Sequence, residues 1–367
     1  MKNIARKILA GLSAFAFLST APMALNAYNM DEPKLVVQSK KRDLHINFSK
    51  DGSKFVYTRL DDNSRNSVSE IVSNEKGTEK VIVSQGFFDA HPSFSPDGKK
   101  IAFFRGLGMG YGVICTVDSD GKNLEDLANA RISKVSWSPD GKELTYISGY
   151  VEEKINTLTE EDVKNLNKMK NNPWRLKPGD KVKIPVEYGA VMLLNLETKD
   201  VKYLTTNEGN CECPRFMDDG KIIYVFNKSM MTSAGKEIWM MDKDGSNKLL
   251  LVQPENYEKK TQDGNSVIVH VKEGSAYQVS VDKGMMAYML TTTERIAKAT
   301  PDGKKFKVEE LKDESNSAIY VRNLKTGETK MVTDEGLLWF PEIKDNKVYF
   351  SRYEDDTEHD IYSIDLK

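Results

Sequence analysis

Cysteine and histidine are scarce in this chain of 367 residues, which has three Cys and four His. Three cysteines are too few for the disulfide scaffold on which many small exported domains depend. Four histidines leave a nucleophilic triad few candidate bases, and no Gly-x-Ser-x-Gly elbow is present. We therefore predict no catalytic residues, no cofactor and no resident metal, and we favour a non-enzymatic role while leaving an enzymatic one open.

An excess of positive charge is also missing. Lys and Arg number 53 against 55 Asp and Glu, which gives a formal net charge of -2, and the lysines are interleaved with acids. A protein that neutralises nucleic-acid phosphates needs a basic patch. Nucleic acid is therefore not predicted as a partner.

Long apolar runs are absent from the body of the chain, and the one at its start is short. The run Ile8–Leu18 follows Lys2, Arg6 and Lys7 and precedes small residues. This is the layout of a secretory signal peptide, and the run is too short for a comfortable membrane span. We predict a signal peptide over residues 1–27, cleavage after Ala27, a periplasmic or secreted location, and no membrane span in the mature chain.

A β-hairpin pattern is present instead, and it recurs along the chain. In HPSFSPDGKKIAFF (His91–Phe104) apolar and polar residues alternate, a Pro-Asp-Gly turn follows, and an apolar strand returns. Clear copies contain Phe48–Gly52 and Trp137–Gly141. Weaker copies are Phe216–Phe226, Val279–Met289 and Ile343–Phe350. Such self-similarity predicts a repeat fold.

Each repeat contains about four predicted strands, and the resulting prediction is an all-β, six-bladed β-propeller. The sixth repeat supplies three strands, so a strand around Leu35–Val37 is predicted to complete it and to close the ring, which removes an open sheet edge. The predicted domain is single and covers 28–367. Its parts are a closing strand at about 34–39, blades at about 44–86, 91–130, 133–207, 212–253, 275–334 and 337–367, and insertions at 149–188, 254–274 and 293–317.

The three insertions are places where function is expected, because loops on a rigid scaffold tend to carry it. In the first, Thr159 and the acidic residues after it predict a helix to about Lys170. The second is predicted to contain an additional strand at Ser266–Val271. The third is predicted to be a charged, mobile loop.

The hairpin HPSFSPDGKKIAFF, followed by a second hairpin such as Val113–Gly121, resembles the TolB-type propeller repeat. The resemblance covers about residues 33–367. TolB itself carries an α/β domain ahead of its propeller, whereas here only a few residues separate the predicted cleavage site from the first strand. Such repeats occur in envelope scaffolds, in peptidase propeller domains and in some sugar lyases, so they specify fold better than function.

The TolB resemblance implies a non-enzymatic scaffold in the bacterial cell envelope that binds another envelope protein over one face. The family's example of such a partner is a peptidoglycan-associated lipoprotein. The alternative is a hydrolase or lyase that acts on carbohydrate or peptide, with its site at the mouth of the propeller channel.

A second resemblance lies in the first insertion, where Leu158–Val186 is similar to the second half of a LysM module, a fold that binds peptidoglycan and chitin. The first half of such a module is missing, so the usual glycan groove cannot form. Peptidoglycan is therefore kept as an alternative partner. The residues that this resemblance implies for glycan contact are Asn167, Trp174, Pro178, Gly179 and Asp180.

Candidate channel residues follow from aligning the six repeats. One column of the alignment, at the start of each innermost strand, should line one mouth of the channel. Two imidazoles and a thiolate there are ligand types that suit zinc, but the cysteine lies two blades beyond the histidines and no carboxylate occupies the other places. No metal site is predicted. The residues in this column are His45, His91, Lys134, Cys213, Ala276 and Phe340.

Two further patterns favour structural roles. Cys211 and Cys213 are two apart, which on a regular strand places both on one face, and we predict that they are small buried residues. Asp242–Asn247 resembles the start of a calcium loop, but the bidentate Glu expected further along is absent, since position 253 is Gln. Asp and Gly suit a hairpin turn there, and a turn is predicted.

Overall fold

A computed structural model of the chain describes residues 26–27, 32–61, 68–84, 88–108, 110–157, 159–160, 177–179, 181–206, 209–228, 235–302, 305–334, 338–353 and 359–366. Within these ranges the bounded elements are β-strands, and the all-β prediction is confirmed. The strands are β1 (Asn26–Ala27), β2 (Lys34–Val37), β3 (Arg42–Phe48), β4 (Lys54–Asp61), β5 (Val68–Glu75), β6 (Thr78–Val83), β7 (Phe88–Phe94), β8 (Lys100–Gly108), β9 (Tyr111–Asp118), β10 (Glu125–Arg131), β11 (Ser136–Trp137), β12 (Glu143–Thr157), β13 (Lys181–Asn195), β14 (Val201–Tyr203), β15 (Asn210–Phe216), β16 (Ile222–Asn227), β17 (Glu237–Met241), β18 (Leu249–Val252), β19 (Asn256–Asp263), β20 (Ser266–Asp282), β21 (Met285–Asp302), β22 (Lys305–Asn323), β23 (Thr329–Thr333), β24 (Leu338–Lys344), β25 (Lys347–Tyr353) and β26 (His359–Asp365).

The strands form small, mainly antiparallel sheets. Three sheets have four consecutive strands each, β7–β10, β11–β14 and β15–β18. A six-stranded sheet has the order β1-β23-β22-β21-β20-β19. An eight-stranded sheet has the order β24-β25-β26-β3-β4-β5-β6, and β2 also pairs with β26, on the edge that faces β3. Its two halves are joined through the single residue pair His359 and Arg42.

Both faces of these sheets are buried, which explains the continuous apolar runs in the repeats. Neighbouring strand residues point to opposite faces, yet Phe103 and Phe104 are both at most 1% exposed, as are Ile71 and Val72. Each face packs against the next sheet along the chain, and the last half-sheet packs against the first through a cluster that contains Val37 and Ile361. The Val and Ile content of the repeats therefore serves sheet-on-sheet packing.

The Ser-Pro-Asp-Gly turns are held by their own side chains. Ser95 Oγ accepts the N–H of Lys100 at 2.9 Å and donates to Asp97 Oδ1 at 2.7 Å, while Gly98 takes a φ of 69°, where glycine has no steric penalty. The turns at Ser49–Gly52 and Ser138–Gly141 repeat these contacts. This local chemistry is the reason the hairpins could be read from sequence.

The turns gather on one side of the molecule, which we call the turn face. Lys344 Nζ donates to the carbonyl of Lys50 at 2.9 Å, so the turn after β24 contacts the turn after β3. Lys283, in the turn after β20, forms an ion pair of 2.6 Å with Asp345. The opposite side, where the innermost strands begin, is the extension face.

Two groups of strands continue far past their neighbours, away from the turns, and give the extension face its name. β12 and β13 pair with each other over fifteen residues each. β20, β21 and β22 have 17, 18 and 19 residues, and β19 pairs along the far part of β20. The predicted additional strand at Ser266–Val271 is the start of β20.

The prediction of a mobile loop over 293–317 is wrong, because its described residues, 293–302 and 305–317, belong to β21 and β22. The segment has few apolar residues to signal a strand, but its backbone pairs on both sides of β21 and its charges pair across strands. Arg295, for example, contacts Asp313 at 3.3 Å and Glu273 at 3.1 Å. The helix predicted from Thr159 to about Lys170 falls almost wholly outside the described residues.

Among the described residues, no helix has the length and apolarity needed to cross a membrane. The signal peptide predicted over 1–27 lies outside the described residues except for β1, and it stays a prediction.

Candidate functional site

A β-bulge re-aims one residue of the innermost strand in five of the repeats. His45, His91, Cys213, Gln278 and Phe340 have φ between 50° and 59°, in the left-handed region, and the strand register shifts at each of them. A bulge adds twist and turns a side chain out of the alternating pattern. Three of these side chains, those of His45, His91 and Phe340, pack against one another.

The bulges correct one position of the sequence alignment. In the fifth repeat the residue in the bulge is Gln278, and Ala276 is instead a buried core residue, 0% exposed. Each of the five bulges adds one residue to the innermost strand: one residue faces none of the partner strand in the fifth repeat, and two residues face one in the other four. Gln278 lies two residues before Ser280, as His45 lies two residues before Asn47, so the alignment placed the fifth repeat two residues out of step.

Of the predicted channel-mouth residues, His45, His91 and Phe340 meet in a cluster of packed rings, and Lys134 lies beside them. The ring centroids of His45 and His91 are 3.8 Å apart, and the His45 ring meets the edge of Phe340 at 4.0 Å. His45 Nδ1 is 3.2 Å from Thr58 Oγ1. Lys134 is 5% exposed beside them. The result is a plug of packed rings with the lysine beneath it.

Both histidines of the plug are held in the neutral form. Burial, followed by the charge of Lys134 and then Arg215, lowers the pKa of His91 to about 3. Burial first, and then the neighbouring His91 and Lys134, hold the pKa of His45 well below its usual range. Neutral imidazoles pack against Phe340 at low cost, whereas imidazolium ions there would lose their hydration.

Acid is therefore expected to destabilise the fold through the plug. Between about pH 6.5 and about 3 the unfolded chain protonates His91 while the folded chain does not, so stability falls as pH falls. His91 should contribute at most about 1.4 kcal/mol to the free energy of unfolding per pH unit in this window. Urea unfolding of the protein and of His91→Gln across this range measures the effect. The variant should show the shallower loss with acid; parallel pH profiles would contradict the assignment.

Beneath the plug, a buried carboxylate binds two cations. Glu342 contacts the guanidinium of Arg215, its Oε2 lies 3.6 Å from Lys134 Nζ, and its Oε1 accepts a hydrogen bond from Asn47 Nδ2 at 3.1 Å. Lys134 Nζ also reaches the carbonyl of Pro341 at 3.5 Å. Glu342, Arg215 and Lys134 are 6%, 7% and 5% exposed. We call Asn47, Arg215, Glu342 and Lys134 the charged floor.

Two cavities lie on either side of the floor. On the plug side a cavity of about 10 Å³ is bounded by His45, His91 and Lys134, which is room for about one water molecule. On the turn face a cavity of about 180 Å³ opens outward, and Asn47, Arg215 and Glu342 line it at its closed end. We call the larger cavity the funnel. The funnel thus opens on the side opposite to the one where the channel-mouth residues were predicted.

Burial lowers the pKa of Lys134 to about 8, with the positive charge of Arg215 as the second cause. Glu342 acts in the other direction and favours the charged lysine. Lys134 therefore remains mostly protonated at neutral pH, although it is buried beside another cation.

Lys134 was among the predicted channel-mouth residues, but the other three floor residues were missed by the sequence analysis, although a signal for them existed. They occupy one alignment column, two residues after the bulge, and in four of the six repeats this column holds Asn or Ser. Three of those small side chains accept a backbone N–H of the next sheet, for example Asn47 from Phe94 at 3.1 Å. The two charged residues of this column, Arg215 and Glu342, belong to the charged floor. The column consists of Asn47, Ser93, Ser136, Arg215, Ser280 and Glu342.

The other candidate residues remain apart from this site. Cys211 and Cys213 do not share a face: Cys211 packs with the third sheet and Cys213 with the fifth, because the bulge at Cys213 breaks the alternation that the prediction assumed. Among the described residues, no group of three His, Cys, Asp or Glu side chains is arranged to hold a metal ion. The carboxylate of Asp242 is bound by Lys221 and Asn247, within a hydrogen-bonded turn.

The residues implied by the LysM resemblance are described only in part. Pro178 and Gly179 lie in an exposed turn. Asn167, Trp174 and Asp180 lie outside the described residues, so the implied glycan contact stays a prediction.

Comparison with known proteins gives similarities to solved structures only. No protein-family model matches the chain, and no curated protein matches it in sequence. TolB from Acinetobacter baumannii is 17% identical over 78% of this chain, with a TM-score of 0.45, and this chain covers 58% of its length. An oligogalacturonate lyase from Vibrio parahaemolyticus is 13% identical, with 94% and 99% of the two chains covered and a TM-score of 0.46. The β-propeller domain of the Trilobed protease from Pyrococcus furiosus is 12% identical, with 89% and 96% covered and a TM-score of 0.46.

Proposed function

We propose that this chain is an exported, non-enzymatic scaffold of the bacterial cell envelope that binds another protein, and that its fold is a six-bladed, TolB-like propeller. The sheets divide into six four-stranded units if the eight-stranded sheet counts as two and β20–β23 form one. The antiparallel pairing of β2 with β26, which buries Val37 to 4% exposure, is the proposed ring closure. The hairpin repeats, which resemble those of TolB, support the same assignment.

The observation that carries the binding role is the pair of strand extensions on one face. Ladder hydrogen bonds hold β12–β13 and β19–β22 well past the body of their sheets, so they present rigid surface at little entropic cost to a partner. They also expose apolar side chains, with Val151 60%, Val308 42% and Leu311 51% exposed. Apolar groups on rigid extensions suit a protein partner, and an envelope protein such as a peptidoglycan-associated lipoprotein is the class that the repeat implies.

The predicted mouth gives little support to the enzymatic alternative, because its histidines are neutral and packed against Phe340, with His45 buried and His91 half-buried. A hydrolase or lyase would have to use the funnel instead, where Arg215 and Glu342 are the charged groups at the closed end. Turnover of a carbohydrate or peptide substrate that is lost in Arg215→Met would favour this alternative. Cosedimentation of the protein with purified peptidoglycan would favour the glycan-binding alternative.

Affinity capture tests the proposal. The tagged mature chain, crosslinked mildly in bacterial envelope extract, is expected to retain one dominant protein that untagged chain competes away. Absence of any specifically retained protein would contradict the scaffold role.

A matched pair of variants then tests whether the partner binds at the extension face. Leu311→Glu places a charge on the extension and should weaken binding of the purified partner at least fivefold. Leu249→Glu makes the same change at a leucine of nearly equal exposure, 51% against 52%, on a strand outside the extensions, and should leave affinity unchanged. Surface changes of this kind rarely affect folding. Equal affinities of the two variants for the partner would show that the partner does not bind at the extension.

A further inference from the structure

The charged floor of the funnel holds more positive than negative charge. Arg215 and Lys134 both bind the single carboxylate of Glu342, and the imidazoles nearest to Lys134 are neutral. The remaining floor residue, Asn47, is uncharged. One unit of positive charge is therefore left at the closed end of the channel.

The charged residues at the rim of the funnel do not balance this excess positive charge. Lys50, Lys344, Asp218 and Asp282 line the outer part of the funnel and sum to zero. Asp282 is engaged by Lys344 at 3.4 Å and accepts the N–H of Asp345 at 2.9 Å. Burying a charge without a counter-charge is expensive, so an anion that enters the funnel would be favoured by the floor.

We propose that the funnel is a binding site for a carboxylate that a peptide presents from the turn face. A single carboxylate matches the excess of one positive charge, whereas a dianionic phosphate would exceed it. The guanidinium of Arg215 lines the funnel and offers planar, paired N–H groups that suit carboxylate geometry.

The size and lining of the funnel agree with a peptide group as the source of the carboxylate. Its volume of about 180 Å³ accepts one side chain or one chain end. Ser93 and Ser136 lie on its wall near the floor, while Pro96, Pro139 and Met217 lie farther out and offer apolar contact to the flanking peptide. This site is independent of the proposed partner surface, because it opens on the opposite face and rests on different residues.

Three short peptides distinguish the sources of the carboxylate in isothermal titration. The probes are acetyl-Ala-Gly-Ala with a free carboxyl end, the same peptide as its amide, and acetyl-Ala-Asp-Ala amide. At pH 7 we expect the amide without an acid to bind at least tenfold more weakly than one of the two carboxylate peptides. Tighter binding of the first peptide identifies a chain end, and tighter binding of the third identifies an acidic side chain. Equal affinity of all three peptides, or binding by none, overturns the proposal.

A charge-removing variant tests whether the excess charge is the cause. Lys134→Met keeps the length of the side chain and removes the charge, so it should weaken carboxylate binding at least tenfold while its melting temperature stays equal or rises. Lys298→Met makes the same change on the extension face, where Lys298 pairs with Asp263 at 2.7 Å, and should alter affinity less than twofold. A Lys134→Met protein that is stably folded and still binds the carboxylate peptide with unchanged affinity would refute the role of the floor.

Discussion

Replacement of Glu342 by alanine is expected to lower the free energy of unfolding by about 3–5 kcal/mol, the usual cost when one partner of a buried ion pair is removed. Glu342 is 6% exposed and is the carboxylate that Arg215 and Lys134 share. Without it, two cations remain buried side by side, and the Nδ2 of Asn47 loses an acceptor. The loss should appear as a lower urea midpoint with an unchanged denaturant dependence.

Two comparisons separate this charge effect from general damage. Glu125→Ala breaks an exposed pair with Lys199, both partners being about half exposed, and should cost less than about 1 kcal/mol. The triple variant Glu342→Leu, Arg215→Met, Lys134→Met removes all three charges and should recover most of the lost stability, because apolar side chains can replace a buried ion cluster. If Glu342→Ala unfolds at the wild-type urea concentration, the floor is not a coupled charge cluster.

Replacement of Val37 by aspartate is expected to cost about 3–4 kcal/mol, because it places an unpaired carboxylate in an apolar cluster. Val37 is 4% exposed and packs with Ile46, Tyr57, Val72 and Ile361, where the last sheet meets the first. The proposed ring closure depends on this contact. Opening it would also free the edge of β26 for pairing with other chains, so faster aggregation on heating should accompany the loss.

The control lies in the same strand. Leu35 is 47% exposed and pairs with Tyr362 through the backbone, so Leu35→Asp keeps the β2–β26 ladder and should cost less than about 1 kcal/mol. Thermal melts and urea curves of the two variants provide the measurement. Similar losses in both would mean that β2 does not hold the ring through Val37.

The hairpins were predictable because their determinants are local. A serine accepts the backbone N–H five residues on, an aspartate orders the turn, and a glycine takes the left-handed conformation. The start of β20 was predicted as a strand, but the extended parts of β21 and β22 were not predictable in this way. Thr291 to Thr293 and Ser315 to Ser317 lack apolar alternation, and their strand structure comes from pairing with neighbouring strands rather than from a buried face.

In the candidate functional site, too, some features could be predicted from the sequence and others could not. Alignment of the repeats predicted most of the plug, since equivalent residues of a repeat lie at equivalent depths. It misplaced one position, because the fifth repeat was aligned two residues out of step, on Ala276 instead of the bulged residue Gln278. The floor depends on Arg215 meeting Glu342, which are 127 residues apart in the chain. No local pattern indicates that these two side chains will touch.

By itself, the sequence determined the repeating hairpin, its turns and the apolar strands that pack sheet against sheet, because each depends on residues a few positions apart. Only the tertiary structure decided which end of the channel is closed by rings and which is open, and where two cations share one carboxylate. Those features arise where innermost strands from different repeats converge, and there burial, charge and packing act between residues that the chain keeps far apart.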